Sequence, residues 1–207
     1  MMDAKCKICR RAGEKLFLKG ERCHTPKCAV VRKPYPPGIH SKKRGRKLSE
    51  YGLQLRQKQN LRSLYGMRER PFRNIAQEAM RNKETRNTEQ LYRLLELRLD
   101  NVVFRLGLAV SRSRARQIVS HGLITINGRR VTIPSYRVHP HDRIAVRPQY
   151  KTSPLFQDID VLLKKYQPPA WISLDKEKKE GEIIGTPAIE DPSMLPQLNT
   201  AIAFYSR

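Results

Sequence analysis

The stretch "SRSRARQIVSHGLITINGRR", residues 111–130, decides the fold class of this chain. Ser111 is a natural helix cap, and Ala115, Ile118 and Val119 recur on one helical face, so a short helix is predicted to about Ser120. Gly122 supplies the stop, Leu123–Ile126 reads as a strand, Asn127-Gly128 as a tight hairpin turn, and Val131–Ile133 as the returning strand. Helix, turn and hairpin within so few residues predict an α+β module. Arg112, Arg114 and Arg116 fall in the first turns of the helix, where its dipole is already positive. A cation there is unfavourable by about 0.3–1 kcal/mol unless an anion stands close. No acidic residue lies between Asn101 and Asp142 to supply one, and a phosphate would.

Upstream, residues 85–109, "TRNTEQLYRLLELRLDNVVFRLGLA", form the richest apolar block. Thr88 is the expected cap, Leu91, Leu94, Leu95, Val102, Val103 and Leu106 the core residues, and Gly107 lies near the end. Downstream, "RVHPHDRIAVRP" reads as a turn and strand, and "SPLFQDIDVLLKKY" as a helix using Leu155, Ile159, Leu162, Leu163 and Tyr166. The last forty residues read as strands mixed with proline-broken loops. Further back, a helix is predicted from Ser49 to Tyr65 with Gly66 as its stop, followed by one opened by Pro71 with Phe72, Ile75, Ala76, Ala79 and Met80 inward. "KPYPPGIHSKKRGRKLSEYG" reads as an extended basic linker.

All four cysteines, Cys6, Cys9, Cys23 and Cys28, fall in the first 28 residues as two close pairs. Two residues inside the first pair and four inside the second suit a tetrahedral metal held by two knuckles. Four thiolates leave no open position for catalysis, so structural zinc is expected, with an iron–sulfur cluster as the alternative. His24 is read as a surface residue, and His139 and His141 in "HPH" lack supporting ligands. A segment this small buries little apolar surface, so the metal would supply its folding energy.

Lys and Arg number 42 against 19 Asp and Glu, a formal charge of +23. Residues 1–150 hold 35 cations and 11 carboxylates, residues 151–207 hold 7 and 8. Such an excess favours a polyanionic partner, nucleic acid first, contacting the first three quarters of the chain. The candidate contacts are Arg10, Arg11, Arg32 and Lys33 around the knuckle; Lys42, Lys43, Arg44, Arg46 and Lys47 in the linker; Arg56 and Arg62 on the following helix; and Arg112, Arg116, Asn127, Arg129 and Arg130 in the motif. Neither an apolar signal core nor a membrane-length run is present, so no membrane partner is expected and a reducing, cytoplasmic setting is. No heptad array suggests a homo-oligomer. Walker, dinucleotide-binding, zinc-protease and nucleophile-elbow patterns are absent, which argues against an enzyme. The rival classes are an accessory to RNA-modifying or RNA-chaperoning enzymes and a zinc-dependent DNA-binding regulator.

The blocks "CKICRRAGEKLFLKGERC", "PYPPGIH", "KLSEYGLQLRQKQNLRSLYG", "LYRLLELRLDNVVFRLGLAVSRSRARQIVSHGLITINGRRV" and "FYSR" resemble, in one order, the bacterial family of small-ribosomal-subunit protein number four. The resemblance implies a structural constituent of the small subunit, in the cytoplasm, that binds small-subunit rRNA first, nucleates assembly of its 5′ domain and influences decoding accuracy. It also implies a place near the messenger RNA entrance and contact with small-subunit protein five. It puts the RNA-facing role on Arg112, Arg116 and the Asn127–Arg130 turn, and the metal on Cys6, Cys9, Cys23 and Cys28. Two departures stand out: His141 where the family often has glycine, and Thr and Ala in "NTAIAFYSR" where a carboxylate is usual. The expected fold is α+β, with a knuckle and helical domain over residues 1–92, the RNA-binding module over 93–158, and a helix and strand segment over 159–207 packing on both.

Overall fold

The computed structural model describes residues 4–206 apart from 41–46, 83–84, 152, 154–155, 157–158, 160–161 and 165. Among the described residues, helices and one antiparallel sheet make up the chain, which divides into two compact units, residues 1–91 with 189–207, and residues 92–188. The segment read as a third domain is therefore shared: residues up to 188 complete the second unit and the rest the first.

The first unit contains α1 (Lys5–Ala12), α2 (Ala29–Arg32), α3 (Glu50–Leu64) and α4 (Glu69–Arg81). Ser49 caps α3 by accepting from the Gly52 amide at 3.2 Å, and Gly66 ends the segment at φ 63°. In α4, Phe72, Ile75, Ala76 and Ala79 are buried, as their spacing predicts. The last element, α8 (Met194–Tyr205), corrects the expectation of loops. Pro196 falls in its first turn, where a missing amide forfeits no helical bond, and Leu198 and Ala201 are buried.

Helix α8 packs on α3 and α4 around a buried lysine. The Lys58 ammonium is bonded to Glu69 and lies 4.4 Å and 5.2 Å from the ring centres of Phe204 and Tyr205. The Tyr205 hydroxyl donates to the same Glu69 oxygen at 2.6 Å. Burial opposes ionisation of Glu69, but Lys58, Tyr205 and Arg62 together hold its carboxyl below the usual range. Burial, and then the Glu69 hydrogen bond, push the Tyr205 phenol up. A depressed carboxyl stabilises the fold above its unfolded pKa, and that contribution is lost as pH falls through the folded value. Thermal unfolding of this unit should therefore move down as pH drops below about 4–5. Glu69→Gln should abolish that part of the acid dependence and cost about 1–2 kcal/mol at neutral pH, allowing for the solvent exposure of Glu69. An acid profile that the substitution leaves unaltered would show that Glu69 is not what titrates.

The second unit begins within α5 (Asn87–Glu96) and continues through α6 (Leu99–Arg105) and α7 (Arg112–Ser120). Thr88, the expected cap, lies inside α5, which starts one residue earlier. Strands β1 (Ile124–Ile126), β2 (Arg129–Val131), β3 (Arg143–Val146), β4 (Ile172–Asp175) and β5 (Glu180–Ile183) form an antiparallel sheet in the order β2-β1-β3-β5-β4. Ile124, Ile126, Ile144, Val146, Ile172 and Ile183 meet the helical residues Val102, Val103, Leu106, Ala115, Ile118 and Val119 in one core. Ile159 and Leu163 join it, as their helical reading requires, together with Phe156; Leu162 instead is exposed, and Leu155 is outside the described residues. The return strand starts two residues earlier than predicted, because Asn127 and Gly128, at φ 49° and 79°, complete the turn alone and pair Ile126 with Arg129. Gly181 lets α6 lie close on the sheet: a β-carbon there would overlap the Leu106 side chain and stand 3.1 Å from the Ser173 carbonyl.

Candidate nucleic-acid interface

Ser111 caps α7 as the sequence requires, its hydroxyl accepting from the Arg114 amide at 3.3 Å. The arginines beside it have protein partners that the local window hides. Arg112 Nε donates to Asn101 Oδ1 at 2.8 Å, and its guanidinium lies 4.6 Å from the Phe104 ring centre. Arg116 Nη1 stands 3.6 Å from Asp100 Oδ2, one residue outside the stretch lacking carboxylates. Arg98 grips the same Asp100 through two bonds of 2.8 Å and 3.1 Å. Arg114 donates to Gln117 at 2.8 Å.

Behind these stands a buried polar cluster. Glu96, with no exposed surface, receives a two-pronged contact from Arg105 at 2.8 Å and 2.9 Å. Asn101 Nδ2 donates to the Glu96 carboxylate at 2.8 Å and to its carbonyl at 3.0 Å, which leaves Asn101 Oδ1 aimed at Arg112. The amides of Leu99 and Asp100 at the start of α6 donate to the carbonyls of Tyr136 and Pro134, at 2.8 Å and 3.1 Å. Arg112 is thus half-buried and locked, and Arg116 keeps 48 % of its side chain in solvent. The result is a rigid helix end carrying cations that need no reordering to meet a phosphate.

At the hairpin, Asn127 faces the sheet. Its Nδ2 donates to Asp142 at 2.8 Å and its Oδ1 accepts from the Arg143 amide at 2.9 Å. Arg129 and Arg130 are exposed. His141 has φ 67°, a left-handed conformation that glycine adopts without strain, so this chain carries a side chain where the backbone favours glycine.

In the first unit, Arg10 donates to the carbonyls of Lys33, Tyr35 and Pro36 at 3.2, 3.0 and 3.2 Å and lies over the Tyr35 ring, pinning the start of the linker. Arg56 donates to the Ala12 carbonyl at the end of α1, where the helix dipole welcomes a cation. Arg62 lies 3.7 Å from Glu69. Arg11, Arg32, Lys33 and Lys47 are exposed, and Lys42, Lys43, Arg44 and Arg46 lie outside the described residues.

The four cysteines are free and line one cavity of about 10 Å³, with Lys5, Lys19 and Arg22 at its wall. His24 instead stacks on Phe17 at 4.9 Å. Burial pushes the Cys9 thiol up; burial, then the neighbouring Lys19, pull the Lys5 ammonium down. Among the described residues, no three His, Cys, Asp or Glu side chains converge closely enough to hold a metal ion. All four cysteines border that one cavity without being gathered into a tetrahedral set.

Two family profiles match in succession: the Ribosomal protein S4/S9 N-terminal domain over residues 1–96 and the S4 domain over residues 97–144. The small ribosomal subunit protein uS4 of Thermus thermophilus is 50 % identical over 202 residues, covering 98 % of this chain and 96 % of its own. That of Desulfitobacterium hafniense is also 50 % identical over the same shares, and that of Ruminiclostridium cellulolyticum is 46 % identical over 99 % of this chain and 98 % of its own. Identity at this level from end to end, over a helical unit followed by the helix–turn–hairpin module, means that the chain belongs to the uS4 family of small-ribosomal-subunit proteins.

Proposed function

We propose that this chain is a structural, non-enzymatic constituent of the small ribosomal subunit, in the cytoplasm, that binds the subunit's rRNA. The observation that carries this reading is end-to-end similarity to relatives named as small-subunit proteins, joined to a charge of +23 and to arginines held rigid at one helix end. The protein acts as a counterion of fixed shape: Arg116 and Arg129 meet phosphates at an rRNA junction, while Arg112 and Asn127 hold the helix end and hairpin that present them. Arg130, Arg11, Arg32, Lys33 and the linker cations Lys42, Lys43, Arg44, Arg46 and Lys47 extend the surface; Arg10, Arg56 and Arg62 shape the unit that carries it. Early binding nucleates the 5′ domain, and protein five and incoming messenger RNA are neighbours in the subunit.

Cys6, Cys9, Cys23 and Cys28 would hold zinc, an iron–sulfur cluster being the alternative that metal analysis separates. When bound, the metal supplies a structural cross-link and no reactive position.

The test is binding to the small-subunit rRNA 5′-domain junction, to duplex DNA of equal length and to an unrelated folded RNA, at several salt concentrations. Selective binding that weakens about 10³–10⁵-fold between ~50 and ~200 mM salt is expected if roughly six to ten phosphates are neutralised. Equal affinity for all three would leave a general polyanion binder, and preference for duplex DNA would favour a regulator.

A further inference from the structure

At the opposite end of α7 a second group of cations gathers. Arg130 and Arg147 converge on a single residue, Gly122, just beyond the helix. The Arg130 guanidinium lies against its α-carbon, so that a β-carbon there would stand 2.7 Å from Nη2 and 2.8 Å from Cζ. Arg147 Nη1 donates to its carbonyl oxygen at 3.3 Å. Gly122 has φ 69° and no side chain, and both features are needed for this approach. Strand register puts the two arginines on one face of the sheet: Arg130 pairs with Thr125, Thr125 pairs with Ala145, and Arg147 follows two residues later, its amide donating to the Leu123 carbonyl at 2.9 Å. Tyr150, with its ring centre 5.5 Å from the Arg147 guanidinium, steadies Arg147. Among the described residues neither arginine has an ion-pair partner. The carboxyl end of a helix offsets about half a charge, whereas two guanidiniums bring two, and exposed His121 brings none that is negative.

We infer that Arg130 and Arg147 form a two-guanidinium clasp for one phosphodiester group of folded RNA, a contact separate from the amino-terminal arginines of α7. The inference rests on the rRNA-binding reading and adds Arg147, which the sequence does not single out. Two guanidiniums held against the same residue add their positive charge there, and a shared phosphate would offset both while accepting hydrogen bonds from each. A simple helix cap needs only one of them.

The experiment uses the full chain and the 5′-domain junction RNA, comparing Arg130→Gln, Arg147→Gln and the double variant. Each single variant should bind about tenfold more weakly, since each removes a charge-assisted bond to phosphate, and the double variant little more weakly than either. The slope of log affinity against log salt should shrink by about one in all three. Thermal unfolding without RNA should stay level or rise, because repulsion is relieved. Unchanged affinity and slope, or additive losses with an earlier unfolding temperature, would overturn the clasp and leave a cap. If the unaltered protein fails to select the junction RNA, the rRNA-binding reading falls, and the clasp with it; selective binding by the double variant at full strength removes the clasp alone.

Discussion

Replacing Glu96 by alanine is expected to cost the second unit about 3–5 kcal/mol, the penalty of breaking a buried ion pair by deleting one partner. Glu96 is fully buried, receives both arms of Arg105, and fixes the Asn101 amide. Its removal takes both carboxylate contacts from the Arg105 guanidinium and leaves an Asn101 donor facing a buried cavity. Glu96→Gln should cost less, since shape is kept, but an amide offers Arg105 one acceptor where the carboxylate offered two. The chain's single tryptophan, Trp171, is buried in the same core, so its fluorescence during denaturant unfolding reads this unit directly. A midpoint unchanged in the alanine variant would sink the view that this cluster holds α6 and α7 together. The same variant should lose RNA affinity even where it is still folded, because Arg112 is aimed by Asn101.

Chelation, or Cys9→Ser, is expected to unfold roughly the first 35 residues while leaving the sheet and its helices intact. The magnitude follows from how little this segment buries: its core cluster is Cys9, Ala12 and Leu16 with a fringe of Ile8, Leu18 and Val30. A metal bound by four thiolates supplies about 10–16 kcal/mol of apparent energy, far more than such a cluster. Amide hydrogen exchange resolved by segment is the measurement. Full protection of α1 after chelation, with Trp171 emission unchanged, would show that packing alone suffices. Metal content of the purified protein, at one ion per chain, is the companion observation.

The elements of this fold were legible wherever a short-range rule governs them. Ser111, Gly122 and Asn127-Gly128 act within a few residues of themselves, and the apolar steps of Phe72, Ile75, Ala76 and Ala79 need only a helical period. Helix α8 was hidden because Pro192 and Pro196 read as breakers, and the permissive first turn becomes visible only once the helix start is known. The partners of the arginines were hidden for a different reason. Asp100 lies one residue before the stretch that lacks carboxylates, and its link to Arg116 arises because α6 and α7 pack side by side, which no local charge pattern encodes. Lys58 likewise reads as one more surface cation on a poorly amphipathic helix; its burial exists only because Phe204 and Tyr205, almost 150 residues away in sequence, come to rest on it. The excess charge on α7 is legible in the sequence, whereas the meeting of Arg130 and Arg147 at Gly122 needs the fold to be seen.

The return of α8 to α3 and α4 orders events during synthesis. A ribosome making this chain releases α3 and α4 first, then every residue of the sheet unit, and only afterwards the helix that covers Lys58. The unit at the amino terminus is therefore the last to be completed. Until that twelve-residue helix emerges, the residues of α3 and α4 that it covers are unshielded, and the nascent protein is most exposed to proteases in that interval.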